Sequence, residues 1–256
     1  MSAVDVHVIE SGLPDGPAVV LSNSLGATHR MWDAQLDALE RRFRVLRYDT
    51  RGHGASPVPD GPYSIDDLAD DVVGILDRRG IDTAHLVGLS LGGMTAMRVA
   101  ARNPDRVNRM VLLCTAAELA PAQAWTDRAA AVRAGGAESV APAVIARWFT
   151  LSHLETHPAE RAEWVDMIAA TPAEGYASCC EAIAELDLRE QLPTITAPTL
   201  AIAGADDPAT PPAKLEQIVS AIPGARLLVV DGAAHLANAE QPEQITPAII
   251  EHLEQR

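Results

Sequence analysis

Ten residues limit what this chain can fold into more than any other stretch: His85-Leu-Val-Gly-Leu-Ser-Leu-Gly-Gly-Met94. Residues 86–89 are a short apolar run that reads as a buried strand. Gly88-Leu-Ser-Leu-Gly92 then fits the pattern G-x-S-x-G, and residues 94–102 suit a helix. Strand, sharp turn and helix in that order are what a nucleophile elbow needs. The glycines remove Cβ atoms where strand and helix must pass closely. Ser90 is thereby lifted to the sheet's edge, beside a helix N-terminus whose free N–H groups favour an anion. A tight turn without chemistry fits the same residues.

The rest of the chain supplies the sheet that such an elbow requires. Residues 4–10 alternate apolar and polar, residues 18–22 are continuously apolar, and residues 43–48 form a third candidate strand. A helix is predicted over 31–39 and another after Ser64, a candidate N-cap with Asp67 at the reciprocal position of a capping box. Residues 107–114 make a further apolar strand. Strands alternating with helices at this spacing predict a mostly parallel, doubly wound α/β sheet. Between 121 and 187 the alternation stops. Prolines 121, 142, 158 and 172 divide this Ala-, Glu- and Arg-rich stretch into three or four helices. We expect an α/β core of residues 1–120 and 188–256, with residues 121–187 as a helical lid. Strands at 198–203 and 225–230 and helices at 212–221 and 242–254 resume the pattern.

A serine hydroxyl needs a base within reach and an acid to orient that base. Gly204-Ala-Asp-Asp-Pro208 and Asp231-Gly-Ala-Ala-His235 each follow a predicted strand. Parallel strands put both loops on the edge that carries Ser90. His235 is therefore the expected base. Asp206 and Asp207 both fit the acid, and Asp207 is preferred because Pro208 fixes its loop. The oxyanion donors expected are the backbone N–H of Leu91, after the nucleophile, and of Leu25 in the loop after the second strand. The other histidines have plainer readings: His53 ties loops together, and His29 lies close enough to the presumed site to touch a substrate.

Composition closes off other functions. A net charge of −15 argues against nucleic acid or an anionic membrane surface as partner. No apolar run is long enough for a transmembrane helix and no signal peptide is visible at the N-terminus. Three cysteines, two of them adjacent, make a poor disulfide framework and predict the cytoplasm. Without a phosphate-binding loop, a dinucleotide fingerprint or Cys/His metal spacing, no cofactor and no metal is expected.

With Asp49-Thr-Arg-Gly-His-Gly-Ala-Ser56 and Gly232-Ala-Ala-His235 added, the motifs resemble the α/β-hydrolase superfamily over nearly the whole chain. Within it, Leu21-Ser-Asn-Ser-Leu-Gly26, Gly88-Leu-Ser-Leu-Gly-Gly-Met94, Trp125-Thr-Asp-Arg-Ala-Ala-Ala-Val-Arg133, Arg147-Trp-Phe-Thr150 and Ala233-Ala-His-Leu-Ala-Asn-Ala-Glu-Gln-Pro242 are similar to 3-oxoadipate enol-lactonases of the β-ketoadipate pathway. Many superfamily members carry His-Gly where this chain has Asn23-Ser24, a change those lactonases share. The resemblance implies Ser90 as nucleophile, His235 as base, Asp207 as acid and a small anionic enol-lactone as substrate. An anion approaching so acidic a protein needs local cations. Arg128, Arg133 and Arg147 are the candidates, with Trp125 and Trp148 as pocket walls. The same triad would serve a carboxylesterase or a carbon–carbon bond hydrolase, and the scaffold could hold a small-molecule receptor.

Overall fold

The protein is seen in a computed structural model that describes residues 3–255. The first half contains β1 (Val8–Gly12), β2 (Ala18–Ser22), α1 (Asp33–Glu40), β3 (Arg44–Tyr48), α2 (Ile65–Arg78), β4 (Ala84–Leu89), α3 (Leu91–Arg102) and β5 (Val107–Leu113). Five helices then follow without a strand: α4 (Ala122–Gly135), α5 (Ala141–Trp148), α6 (Leu151–Thr156), α7 (Pro158–Ala169) and α8 (Ala173–Ala184). The alternation resumes with β6 (Thr199–Gly204), α9 (Pro212–Ala221), β7 (Arg226–Val230), α10 (Ala237–Glu240) and α11 (Pro242–Glu254).

The described strands form one seven-stranded sheet in the order β1-β3-β2-β4-β5-β6-β7. Only β1 runs antiparallel to its neighbour. Strands β2, β4 and β6 are buried at every residue, as strands covered by helices on both faces must be. The register fixes the functional edge. Ser22 pairs with Gly88, Leu89 with Leu113, Leu113 with Ile202, and Gly204 with Val230. The loops that leave β2, β4, β6 and β7 therefore emerge side by side on one rim.

Local signals explain most boundaries. Ser64 and Asp67 form a full capping box at the start of α2. Pro158, Pro212 and Pro242 open α7, α9 and α11, where a missing N–H costs nothing. Two predictions need correcting. The first strand is Val8–Gly12 rather than 4–10, because the backbone before it bonds elsewhere: Val4 N–H to Asp71 and His7 N–H to the Ser56 hydroxyl. The inserted stretch holds one helix more than the prolines indicate, because Thr150 caps α6 through its side chain without any proline.

Candidate active site

Ser90 sits at φ 56°, ψ −116°, a conformation that costs a non-glycine residue roughly 1–3 kcal/mol. Surrounding contacts hold it there: its N–H donates to Leu113 O, and its carbonyl accepts from Met94 N–H and from the Thr115 hydroxyl. The two motif glycines are steric necessities. A Cβ on Gly88 would lie 2.2 Å from the Gly92 carbonyl oxygen, and one on Gly92 would lie 2.1 Å from the Ser22 carbonyl oxygen. This close approach brings the start of α3 against the end of β2, and so against the 23–28 loop.

That loop is tied down on both sides of Leu25. Ser24 N–H is directed at Met31 Sδ, and Gly26 N–H donates to His53 Nε2 at 3.0 Å. Asn23, in turn, donates to the Tyr48 carbonyl and accepts from the Trp32 indole. Leu25 N–H itself has no acceptor among the described residues. Leu91 N–H, first in α3, is likewise free of any intrahelical partner. Two unengaged donors thus flank Ser90.

Asp207 is buried, whereas Asp206 is exposed. Asp207 Oδ1 accepts from the backbone of Ala209 (2.7 Å) and Thr210 (3.0 Å), an arrangement its short loop favours. Its Oδ2 accepts from the Thr210 hydroxyl at 2.7 Å and lies 2.8 Å from His235 Nδ1. Burial alone would raise the Asp207 pKa. The neighbouring His235 ring and these hydrogen bonds outweigh it and hold the carboxyl below its ordinary value. A carboxylate at Nδ1 selects the Nδ1–H tautomer of His235 and leaves Nε2 as an acceptor. Glu240 steadies the loop before this histidine by accepting from Ala234 N–H (2.8 Å), and Leu236 N–H donates to the Trp148 carbonyl at 2.7 Å.

Ser90 and His235 face one cavity of about 120 Å³, small beside the ~300–1,000 Å³ of sites that take drug-sized ligands. Leu25, Trp125, Arg128, Arg147 and Trp148 also line it. Ser90 Oγ makes no hydrogen bond within 3.5 Å among the described residues, and such contacts commonly tighten only once substrate is bound. A larger surface hollow of about 690 Å³, between Arg30–Asp33 and α7, contains none of these residues and no nucleophile.

Among the described residues the two arginines in the cavity, Arg128 and Arg147, stand without a counter-ion. Most other guanidinium groups are paired, among them Arg47 with Asp33, Arg51 with Asp71 and Arg106 with Asp77, while Arg41, Arg109, Arg161 and Arg226, which also lack an ion pair there, lie outside the cavity. Arg128 lies over the Trp125 ring, 4.8 Å from its centre. Arg147 has its pKa lowered, first by burial and then by the charge of Arg128. Two like charges converging in a cleft make a site for an anion. Arg133, the third candidate, is corrected by the structure: it lies away from the cavity and is neutralised by Glu174 and Glu181 on α8. His29 is also outside the lining, with Nδ1 on Asp49 at 2.9 Å.

Sequence reasoning missed the apolar lining residues Leu119, Val144, Ile183 and Ala209 and two hydroxyl-bearing ones, Thr210 and Tyr176. Thr210 had a signal, since Asp-x-x-Thr is a turn in which the two side chains meet. Tyr176 had none: it reads as one apolar position of a helix.

Comparison with known proteins shows what the chain as a whole is similar to. A 3-oxoadipate enol-lactonase of Acinetobacter baylyi is 42% identical over 238 residues, which cover 93% of this chain and 89% of the relative. The crystal structure of the enol-lactonase from Burkholderia xenovorans LB400 superposes with a TM-score of 0.95 at 42% identity, covering 98% of this chain and 96% of that one. A malate-bound thermophilic esterase from Thermogutta terrifontis is 32% identical, with a TM-score of 0.92 over 97% of this chain and 92% of its own. The alpha/beta hydrolase fold model matches residues 17–242, and the chain belongs to that family.

Proposed function

We propose that this chain is a serine hydrolase that opens the five-membered ring of 3-oxoadipate enol-lactone to give 3-oxoadipate, a step in aromatic catabolism. The observation that carries the proposal is the meeting, in one small cavity, of Ser90 and an Asp207-oriented His235 with two arginines that have no acidic partner. The enol-lactone has the matching parts: a reactive ester in a compact ring and a carboxylate on a short arm. The lactonase relatives in Acinetobacter and Burkholderia support the same substrate. Residues 121–187 act as the lid that brings the arginines over the nucleophile.

The proposed chemistry assigns each of these groups a role. Ser90 Oγ adds to the lactone carbonyl carbon while its proton passes to His235 Nε2. Asp207 accepts from Nδ1–H and stabilises the imidazolium. The negative oxygen is held by Leu25 and Leu91 N–H. Collapse breaks the ring C–O bond, and the departing enol oxygen takes the proton from Nε2. The enol then tautomerises to the ketone, which makes ring opening hard to reverse. Water next gives a proton to Nε2 and adds its oxygen to the acyl carbon. The bond to Ser90 breaks, Oγ recovers the proton, and 3-oxoadipate leaves. Arg128 and Arg147 hold the arm's carboxylate throughout. All three thiols, Cys114, Cys179 and Cys180, are free, which fits a cytoplasmic enzyme.

The test is a substrate panel on the purified chain with Ser90→Ala as control. The enol-lactone should be turned over well above p-nitrophenyl acetate. Arg147→Ala should lose about tenfold or more in kcat/KM on the anionic lactone and much less on the neutral ester. Fast ester hydrolysis without lactone opening would replace the proposal with a carboxylesterase, the reading to which the Thermogutta relative points.

A further inference from the structure

The chain has three tyrosines, and two of them have satisfied hydroxyls. Tyr48 shares a 2.6 Å hydrogen bond with the Ser22 hydroxyl, and Tyr63 donates to the Pro59 carbonyl at 2.7 Å. Tyr176 is the exception. It is wholly buried, it lines the cavity that holds Ser90 and His235, and its hydroxyl has no hydrogen-bond partner within 3.5 Å among the described residues; Arg128 acts on its oxygen only as a donor from farther off, which leaves the O–H itself without an acceptor. A buried, unpaired hydroxyl opposes folding, so its presence calls for a reason.

Its position is firmly set. One residue before it, Gly175 packs against the Gly52 backbone so closely that a Cβ there would lie 2.1 Å from the Gly52 carbonyl oxygen. On the other side the Tyr176 ring lies against Gly26, whose added Cβ would come 3.0 Å from Tyr176 Cε2. The ring is thus wedged between α8 and the loop that carries Leu25. The charges acting on the phenol are chiefly those of Arg128 and Arg147 among the cavity residues. Cations draw the phenol oxygen toward themselves and turn its hydrogen away, toward whatever occupies the cavity. Burial, the largest influence, raises the Tyr176 pKa above its ordinary value, so the group is a protonated donor at neutral pH.

We infer that the Tyr176 hydroxyl is a specificity-determining donor which, with Arg128 and Arg147, receives the carboxylate on the substrate's arm. This rests on the reading above that the substrate is a carboxylate-bearing enol-lactone. The two guanidiniums supply charge, and the phenol supplies one directed hydrogen bond from a ring that cannot move. The hydroxyl left unpaired in the empty cavity is then satisfied by the ligand. A neutral compound of the same shape leaves it unpaired, which is how a buried donor rejects the wrong ligand.

Tyr176→Phe deletes the hydroxyl and keeps the wedged ring. Both proteins are assayed with 3-oxoadipate enol-lactone and with α-angelica lactone, which has the same unsaturated five-membered ring and a methyl group in place of the carboxymethyl arm. Adipate is titrated as a competitive inhibitor of α-angelica lactone hydrolysis. The expected result is a KM for the anionic lactone and a Ki for adipate each raised about tenfold or more, the usual scale for a hydrogen bond to a charged group. The kcat on the anionic lactone and both constants for α-angelica lactone should change by about twofold or less. The Tm of the variant should not fall, because the lost O–H had no protein acceptor. Equal changes on both lactones, or a lowered Tm with a uniform loss, would show a structural role and overturn the inference. So would adipate inhibition that is absent or the same in both proteins. If the native enzyme ignores the anionic lactone yet is inhibited by adipate in a Tyr176-dependent way, the inference stands and the proposed substrate falls.

Discussion

His53 offers a test of how the loop that carries Leu25 is held and of what that costs in acid. The side chain is fully buried, accepts from Gly26 N–H through Nε2, and places Nδ1 3.2 Å from the Arg51 carbonyl. Both contacts require the neutral ring with its proton on Nδ1. Burial pushes its pKa down from 6.5 to about 4, against smaller opposing effects of the Arg51 carbonyl and Asp49. In the unfolded chain the same histidine takes its proton near 6.5. Between pH 6.5 and about 4 the unfolded state therefore binds more protons, and stability falls as pH falls through that window. The whole gap corresponds to about 3 kcal/mol, of which about 2 kcal/mol is lost between pH 7 and pH 5. His53→Gln keeps an acceptor for Gly26 N–H but has no proton to gain. Urea denaturation of both proteins at pH 7 and pH 5 should show the native protein losing about 2 kcal/mol more than the variant. His85, also pushed down to about 4 by burial, titrates in both and cancels from the comparison. His53→Gln should still open the lactone at pH 7, whereas His53→Phe, which strands the Gly26 N–H, should be slow. An equal loss of stability in native protein and His53→Gln would refute the reasoning.

Two further outcomes follow from the same geometry. In Asp207→Asn the amide carbonyl is needed at the Oδ1 position, where two backbone N–H groups converge, so its NH2 faces His235 Nδ1 and selects the wrong tautomer. We expect kcat to fall by roughly 10³–10⁴-fold with fold and Tm kept, measured by stopped assays and thermal unfolding. Gly92→Ala puts a methyl group 2.1 Å from the Ser22 carbonyl oxygen, and should cost about 1–3 kcal/mol or more in urea unfolding, with loss of activity as α3 shifts.

The fold was legible because its signals are local. Pro212 and Pro242 open α9 and α11 where the sequence puts them, and the Ser64–Asp67 box begins α2. Order along the chain was enough to bring Ser90, Asp207 and His235 to one rim, since a parallel sheet leaves few alternatives. What stayed hidden depends on contacts between distant segments. Helix arithmetic alone separates Arg128 from Arg133: Trp125 and Arg128, three apart, share a face, whereas Arg133 lies five residues on and meets Glu174 and Glu181. That arithmetic does not say which face meets the cavity. Tyr176 was invisible because its importance comes from what its hydroxyl lacks.

Glu240 accepts from the peptide of Ala234 and also from the backbone and hydroxyl of Thr150, just past α5. The loop that bears the imidazole and the α5–α6 corner are thus one mechanical piece. Helix α8 is anchored as well, through Gly175 on Gly52, and α4 is fastened to α8 by Arg133, which pairs with Glu174 and Glu181. Trp125 and Arg128 reach the cavity from α4, a helix that carries none of the hydrogen-bonding contacts of Ser90, Asp207 or His235 among the described residues. A new substrate preference can therefore be tried out there by mutation while those three side chains stay untouched.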